Sequence, residues 1–181
     1  MKKIIVFLCI MFVSVSCSSS VAYDENDIAA IVRGKEITVR DIRLVAIFNN
    51  EELPQVVKHY VREEIMIQEA KQMGIELPKE VKEVISSDHS LPPEPPEGKE
   101  NPILEFYKSQ AKELGMTAEE YVDIYICKST ERSEYVSRYI NQELGEGTSQ
   151  GEKGKEYHNR LNEFYDQLLT KYDDEIEILI K

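Results

Sequence analysis

The sequence predicts a mostly α-helical single domain with a small antiparallel β-sheet, which an N-terminal hairpin and a C-terminal strand form together. Residues 55–77 carry apolar side chains at helical spacing over a length that no single hairpin covers. Residues 118–144 and 156–172 repeat that spacing. Short runs rich in isoleucine stand on either side, at 28–37 and 175–180, and a third strand allows the sheet to bury one face.

The first residues have the composition of a secretory signal. Lys2 and Lys3 precede an apolar stretch, 4–15, in which only Ser14 is polar. This stretch is too short to span a membrane as a helix. We therefore interpret residues 1–16 as a signal peptide.

The end of this segment, Ser14-Val15-Ser16-Cys17, resembles the lipobox of bacterial lipoproteins. The resemblance implies that Cys17 is diacylglycerated and becomes the mature N-terminus, anchored by two acyl chains on the extracytoplasmic face of the cell membrane. Residues 17–27 would then form a lipidated tether, and residues 28–181 the folded domain. Ordinary signal cleavage, without a lipid, is the alternative.

Charge and cysteine content narrow the classes of partner. Cleavage before Cys17 removes Lys2, Lys3 and no acidic residue, so the net charge of −12 becomes −14. Such a surface argues against binding of nucleic acid and against a second, electrostatic contact with the membrane. Loss of Cys9 with the signal and acylation of Cys17 would leave Cys127 as the single thiol, which excludes a disulfide within the mature chain.

The hairpin and the central helix have clear boundary signals. Strands are predicted at 28–32 and 35–37 around an Arg33-Gly34 turn, and a capping box from Thr38 to Asp41 predicts a helix over 39–48. The central helix is predicted over 56–74. Glu64 and Gln68 fall on its apolar face, whereas Arg62, Glu63 and Glu69 fall on the opposite face. Gly74 is placed for a left-handed cap with Ile75 folding back on the last turn.

The second half alternates helices with breaking segments. A short helix over 78–85 precedes residues 91–102, which contain five of the seven prolines and predict an exposed, semi-rigid loop, or else a proline ligand for an aromatic groove. A helix over 103–114 follows. The capping box from Thr117 to Glu120 then predicts a helix to Leu144, with a bend or a bulge where the apolar period fails at 128–134.

The last elements return the chain to its beginning. Residues 145–155 contain four of the eight glycines and predict a flexible linker. A helix follows over 156–172, and residues 175–180 predict a strand that pairs with the N-terminal hairpin.

Four separated patches together resemble the chaperone domain of extracytoplasmic parvulin-type foldases, whose members include SurA and the lipoprotein PrsA. They are Gly34 to Thr38, Glu69 to Ile75, Leu114 to Tyr121, and the terminal helix with its strand. The resemblance implies that N-terminal helices and a returning C-terminal helix form one chaperone body. In the family a parvulin isomerase domain is inserted at a point that corresponds to 145–155, and eleven residues are too few to hold it.

The sequence lacks the common patterns of enzyme active sites, so we expect no enzyme, no cofactor and no small-molecule substrate. His59, His89 and His158 lie in separate segments without metal-ligand spacing, which predicts no metal site. The glycines form no phosphate-binding cluster, and no serine stands in a nucleophile motif.

The expected function is that of a membrane-anchored extracytoplasmic chaperone, a holdase that binds unfolded or partly folded exported polypeptides in a groove between helices. Ordinary core packing is the alternative role for each residue of the predicted client-binding surface. These residues are Tyr60, Met66, Met73, Tyr107, Tyr121, Tyr125, Tyr135 and Tyr139.

Two other functions compete with the holdase. One is a dedicated protein-interaction lipoprotein of an envelope or spore complex, with a SurA-like fold and one specific partner. The other is a prolyl isomerase, for which the missing parvulin domain leaves no catalytic module.

Overall fold

A computed structural model of the chain describes residues 23–147 and 151–180. The predicted signal segment 1–16 and the lipidation candidate Cys17 therefore lie outside the described residues. The strands are β1 (Ile28–Val32), β2 (Lys35–Thr38) and β3 (Ile176–Ile178). The helices are α1 (Val39–Arg43), α2 (Leu53–Gln72), α3 (Lys79–Ile85), α4 (Pro102–Leu114), α5 (Ala118–Leu144) and α6 (Gly151–Lys171).

The predicted sheet is confirmed. It has the order β2-β1-β3 with both pairs antiparallel, and Val32 of β1 lies opposite Ile176 of β3. The hairpin turn uses positive φ at both of its central residues, 51° at Arg33 and 79° at Gly34. This is the turn whose twist matches that of two antiparallel strands.

Helix α1 is shorter than predicted. The capping box forms, since the Thr38 hydroxyl accepts from the Asp41 backbone N–H and the Asp41 carboxylate accepts from the Thr38 backbone N–H. The helix nevertheless ends at Arg43 instead of continuing to Phe48, because Leu44 and Phe48 are buried in two different apolar clusters. In a continuous helix Leu44 and Phe48, four residues apart, would lie on the same face and would not enter two different clusters.

Helix α2 crosses the centre of the fold, as predicted. It begins at Leu53, so Pro54 lies in its first turn, where the missing N–H costs nothing. Its other end has the predicted left-handed glycine, Gly74, and the Ile75 N–H donates back to the Ala70 carbonyl. Glu69 departs from the prediction, because it is buried rather than facing away.

Helix α5 is unbroken from Ala118 to Leu144, so the predicted bulge or bend at 128–134 does not interrupt it. The apolar period fails there because Arg132 takes an inward position and its guanidinium is bonded to groups on α2. Both ends of α5 are apolar on the inner face, at Tyr121 and at Tyr139.

The linker before α6 is shorter than predicted, since Gly151 already lies in the helix and 151–155 is helical. The inner face of α6 becomes more buried toward its end, where Leu168 and then Tyr172 enter the main cluster. The loop at 91–101 has no helix or strand, as predicted.

Within residues 23–147 and 151–180, two apolar clusters organise the fold. The main cluster combines the sheet, α1, α2, the second half of α5 and the end of α6. A smaller cluster combines Leu44, α4 and the first half of α5. The hydroxyl of Tyr121, on α5, donates to the Arg43 carbonyl at 3.2 Å and joins the two. Val45 packs against both clusters and lines a groove between α2 and α5.

Candidate functional site

The candidate site is a groove between α2 and the middle of α5, which we call the α2–α5 groove. It consists of two adjoining hollows of about 300 Å³ and 240 Å³. Both are lined by Val45, Tyr60 and Arg132, so these three side chains form the floor on which the hollows meet. The larger hollow is also lined by Lys35, Asp41, Glu64, Ile67, Gln68, Lys71, Lys128, Glu131 and Tyr135.

Arg132 is the central residue of the floor. Its Nη1 donates to the Glu64 Oε2 at 3.0 Å, and its Nη2 donates to the Tyr60 carbonyl at 3.4 Å and to Glu63 at 3.3 Å. The guanidinium carbon also lies 3.8 Å from the centre of the Tyr60 ring. Three polar contacts and one ring contact hold this side chain in one orientation.

Glu64 accepts from three partners in the interior. The Lys35 ammonium of β2 lies 2.7 Å from Oε1, and the Gln68 amide lies 3.2 Å from the same oxygen. Burial by itself would raise the pKa of Glu64, but the hydrogen bonds from Lys35, Gln68 and Arg132 outweigh it and lower that pKa. Glu64 is therefore a carboxylate at neutral pH, paired with cations from β2 and α5.

Tyr60 contributes an apolar ring and a hydroxyl that stays protonated. Burial raises the pKa of Tyr60 to about 12, against the opposing charge of Arg132. The floor therefore offers a neutral phenol and an aromatic face rather than a base or a nucleophile.

The rim of the larger hollow is more exposed than its floor. The Lys71 ammonium lies 4.8 Å from the centre of the Tyr135 ring and 3.5 Å from the Glu131 carboxylate. The side chains of Lys71 and Glu131 are 52% and 41% exposed. An ion pair in such a setting is weak, so both charges can pair with another molecule at little cost.

A second buried carboxylate, Glu69, lies outside the groove and joins α2 to two other elements. Glu69 pairs with Arg33 of the hairpin turn at 2.8 Å and with Lys171 of α6 at 3.2 Å. Burial opposes ionisation here too, but hydrogen bonds from Tyr172, Lys171 and Arg33 lower the pKa of Glu69. The hairpin turn and the last helix are thus both tied to α2.

The predicted client-binding residues fall into separate locations. Tyr60 and Tyr135 line the groove. Met66 and Tyr139 are buried in the main cluster and Tyr121 in the smaller one, so these three form part of the scaffold rather than of a binding surface. Met73 is 45% exposed, beyond the end of α2.

Tyr107 and Tyr125 belong to an aromatic cluster between α4 and α5. Their ring centres lie 5.8 Å apart, and Phe106 and Tyr121 complete the cluster at distances of 5.5–6.2 Å. Both tyrosines are only half-buried. The structure therefore does not unite the predicted residues on one surface.

Sequence reasoning missed the charged part of the groove, above all Arg132, Lys71 and Glu131. Two signals in the sequence pointed to it. Glu64 stands on the apolar face of the central helix, where an unpaired charge is costly, and the apolar period of α5 fails around Arg132. Together they indicate an ion pair between the two helices, which neither signal indicates alone.

The described residues include one group of potential metal ligands, formed by His89, Asp123 and Cys127. It lies outside the groove, at the place where the chain leaving α3 meets α5. Within the same residues, no helix is long and apolar enough to cross a membrane.

No family model matches the sequence, and neither the curated proteins nor the solved structures gave a match. The resemblance to the foldase chaperone domain therefore stays a prediction from its sequence patches.

Proposed function

We propose that this protein binds segments of other polypeptides in the α2–α5 groove and acts as a holdase for unfolded or partly folded exported proteins. The observation that supports the proposal is the composition of the groove. A rigid floor of Tyr60 and Arg132 is bordered by a rim of exposed, weakly paired charges.

The floor and the rim suit different parts of a polypeptide. Tyr60, Val45 and Ile67 offer apolar surface to side chains of an extended segment. Lys71 and Glu131 carry charges of opposite sign. Their ion pair can break, and each can then pair with a charge on the bound segment. Such a groove selects for an apolar centre with polar flanks and not for one sequence, which is the low specificity that a holdase needs.

The same proposal places the protein on the extracytoplasmic face of the cell membrane, held by acyl chains on Cys17. A tether of about ten residues would keep the groove close to the membrane from which exported chains emerge. Mass spectrometry of the protein purified from membranes tests the anchor. We expect a diacylglycerol adduct on Cys17, whereas an unmodified N-terminus beyond Cys17 would contradict it.

An aggregation assay tests the holdase function. We expect stoichiometric amounts of the protein to suppress aggregation of several unrelated unfolded proteins, and Tyr135→Glu to weaken that suppression because it replaces an aromatic ring of the groove with a charged side chain. Ile103→Glu is the matched control, since Ile103 is 59% exposed on α4 and does not line the groove. Equal suppression by wild type and Tyr135→Glu would contradict the groove as the site.

A dedicated interaction protein is the second candidate, and the fixed charge pattern of the larger hollow favours it. Hydrogen bonds hold Glu64, Lys35 and Arg132 in one arrangement. A partner with a complementary charge pattern would therefore bind better than other polypeptides. Absence of any suppression with unrelated proteins, together with capture of one envelope protein that Tyr135→Glu abolishes, would favour this function over the holdase.

A further inference from the structure

Three side chains with different ligand atoms meet where the chain leaves α3 and packs on α5. His89 lies four residues beyond the end of α3, and Asp123 and Cys127 stand one turn apart on α5. The His89 Nδ1 lies 3.1 Å from the Asp123 Oδ1 and 3.8 Å from the Cys127 Sγ. All three ligand atoms lie within 4.8 Å of one another.

The two separations from His89 are close to those around a small tetrahedral ion. Zinc-class ions bind nitrogen, oxygen and sulfur at about 2.0–2.3 Å, so neighbouring ligand atoms lie about 3.3–3.6 Å apart. The two contacts of His89 fall on either side of that range. Shifts of a few tenths of an ångström would bring both of these contacts into the range, and the Asp123–Cys127 pair, which lies within 4.8 Å, would have to close to the same range.

The same distances argue against a catalytic Cys-His-Asp arrangement. In a nucleophilic triad the carboxylate bonds to one imidazole nitrogen, and the nucleophile bonds to the other. Here both Asp123 and Cys127 approach Nδ1 of His89. One nitrogen cannot both donate a proton to the carboxylate and accept one from the thiol, whereas a metal ion near this nitrogen could be bound by all three groups.

We propose that His89, Asp123 and Cys127 bind a divalent transition-metal ion of the zinc class. Imidazole, thiolate and carboxylate are ligands that such an ion accepts together. Three protein ligands leave a fourth position open to water. The His89 side chain is only 14% exposed, which shields one side of the ion from solvent.

The surroundings already orient two of the ligands. The backbone N–H of His89 donates to Oδ1 of Asp123 at 3.1 Å, which holds the carboxylate toward the imidazole. The Cys127 thiol donates to the Ile85 carbonyl at 3.1 Å, and this bond would be given up when the thiolate forms. A bound ion would fasten the segment between α3 and the proline-rich loop to α5. This inference is independent of the proposed function, because the three ligands do not line the groove.

Cobalt(II) titration tests the site directly, because cobalt replaces zinc in such sites and is coloured. The full 181-residue chain, purified in detergent, would carry Cys9→Ser and Cys17→Ser so that Cys127 is its single thiol. We expect one ion per chain, a thiolate-to-cobalt charge-transfer band in the near ultraviolet, and visible bands of the intensity typical of four-coordination. Added zinc should bleach these bands.

Substitutions separate this site from adventitious binding. Cys127→Ser should abolish the charge-transfer band, and His89→Gln and Asp123→Asn should each weaken cobalt binding at least tenfold. His59→Asn is the matched control and should leave it unchanged, because His59 is exposed and contacts Arg62 on α2. Circular dichroism verifies that each variant is folded. No charge-transfer band in the parent protein, or equal cobalt affinity in the folded His89→Gln and Asp123→Asn variants, would overturn the proposal.

Discussion

The substitution Arg132→Met probes the floor of the α2–α5 groove. Methionine keeps most of the aliphatic length but loses every polar contact that the guanidinium makes with Glu64, Glu63 and the Tyr60 carbonyl. The Glu64 side chain is only 3% exposed, so its Oε2 would lose a charged hydrogen bond with little water to replace it.

The cost follows from what remains around Glu64. Removing the partner of a buried charge costs about 3–5 kcal/mol when the charge is left uncompensated. Here Lys35 and Gln68 still donate to the other oxygen, so the loss resembles that of one charged hydrogen bond. We expect Arg132→Met to lower the free energy of unfolding by about 2–3 kcal/mol.

Urea unfolding at pH 7 measures this loss, with Arg138→Met as the matched control. Arg138 lies on the same helix and pairs with Glu134, but its side chain is 41% exposed, so its removal should cost less than about 0.5 kcal/mol. The double variant Glu64→Leu/Arg132→Met should be more stable than Arg132→Met, because it leaves no buried charge. A cost for Arg132→Met no larger than that of the control would refute the reasoning.

Three further predictions concern single residues. Wild type should lose stability as the pH falls below 4.5, the ordinary pKa of glutamate, because the pKa of Glu64 is lowered in the fold and its ion pairs are lost when it is protonated. Glu64→Gln should flatten this part of a stability profile measured by urea unfolding, and an unchanged slope would contradict the pairing. Thr117→Ala should cost about 1 kcal/mol in the same assay by removing the cap of α5, and Thr170→Ala, which is exposed in the last turn of α6 and caps no helix N-terminus, should cost less. Gly34→Ala should cost about 1–2 kcal/mol because φ is 79° there, and a neutral effect would mean that the turn is not left-handed.

Local signals in the sequence predicted most of the fold. Gly74, Thr38 and Thr117 set the ends of helices through their own backbone and side-chain bonds, and these act within four residues. The strand at the C-terminus was also predictable, because a two-stranded hairpin needs a third strand to bury a face.

Residues whose partners are distant in sequence were the ones that sequence reasoning misplaced. Glu69 looks like a surface residue until the hairpin turn brings Arg33 and the last helix brings Lys171 to it. His89 has no metal-ligand spacing in the sequence and reaches Asp123 only when the chain leaving α3 packs on α5. The groove depends on such contacts, so its charged residues could not be predicted from local pattern alone.

Site-specific crosslinking tests the central claim, that the α2–α5 groove receives polypeptide. A photoreactive phenylalanine would replace Tyr135 at the rim or Ile103 on α4 as the control, and each protein would be irradiated with a reduced and alkylated, permanently unfolded protein. We predict a strong adduct from position 135 that an excess of unlabelled unfolded protein suppresses, and little adduct from position 103. Equal adducts at both positions, or none at 135, would contradict the account.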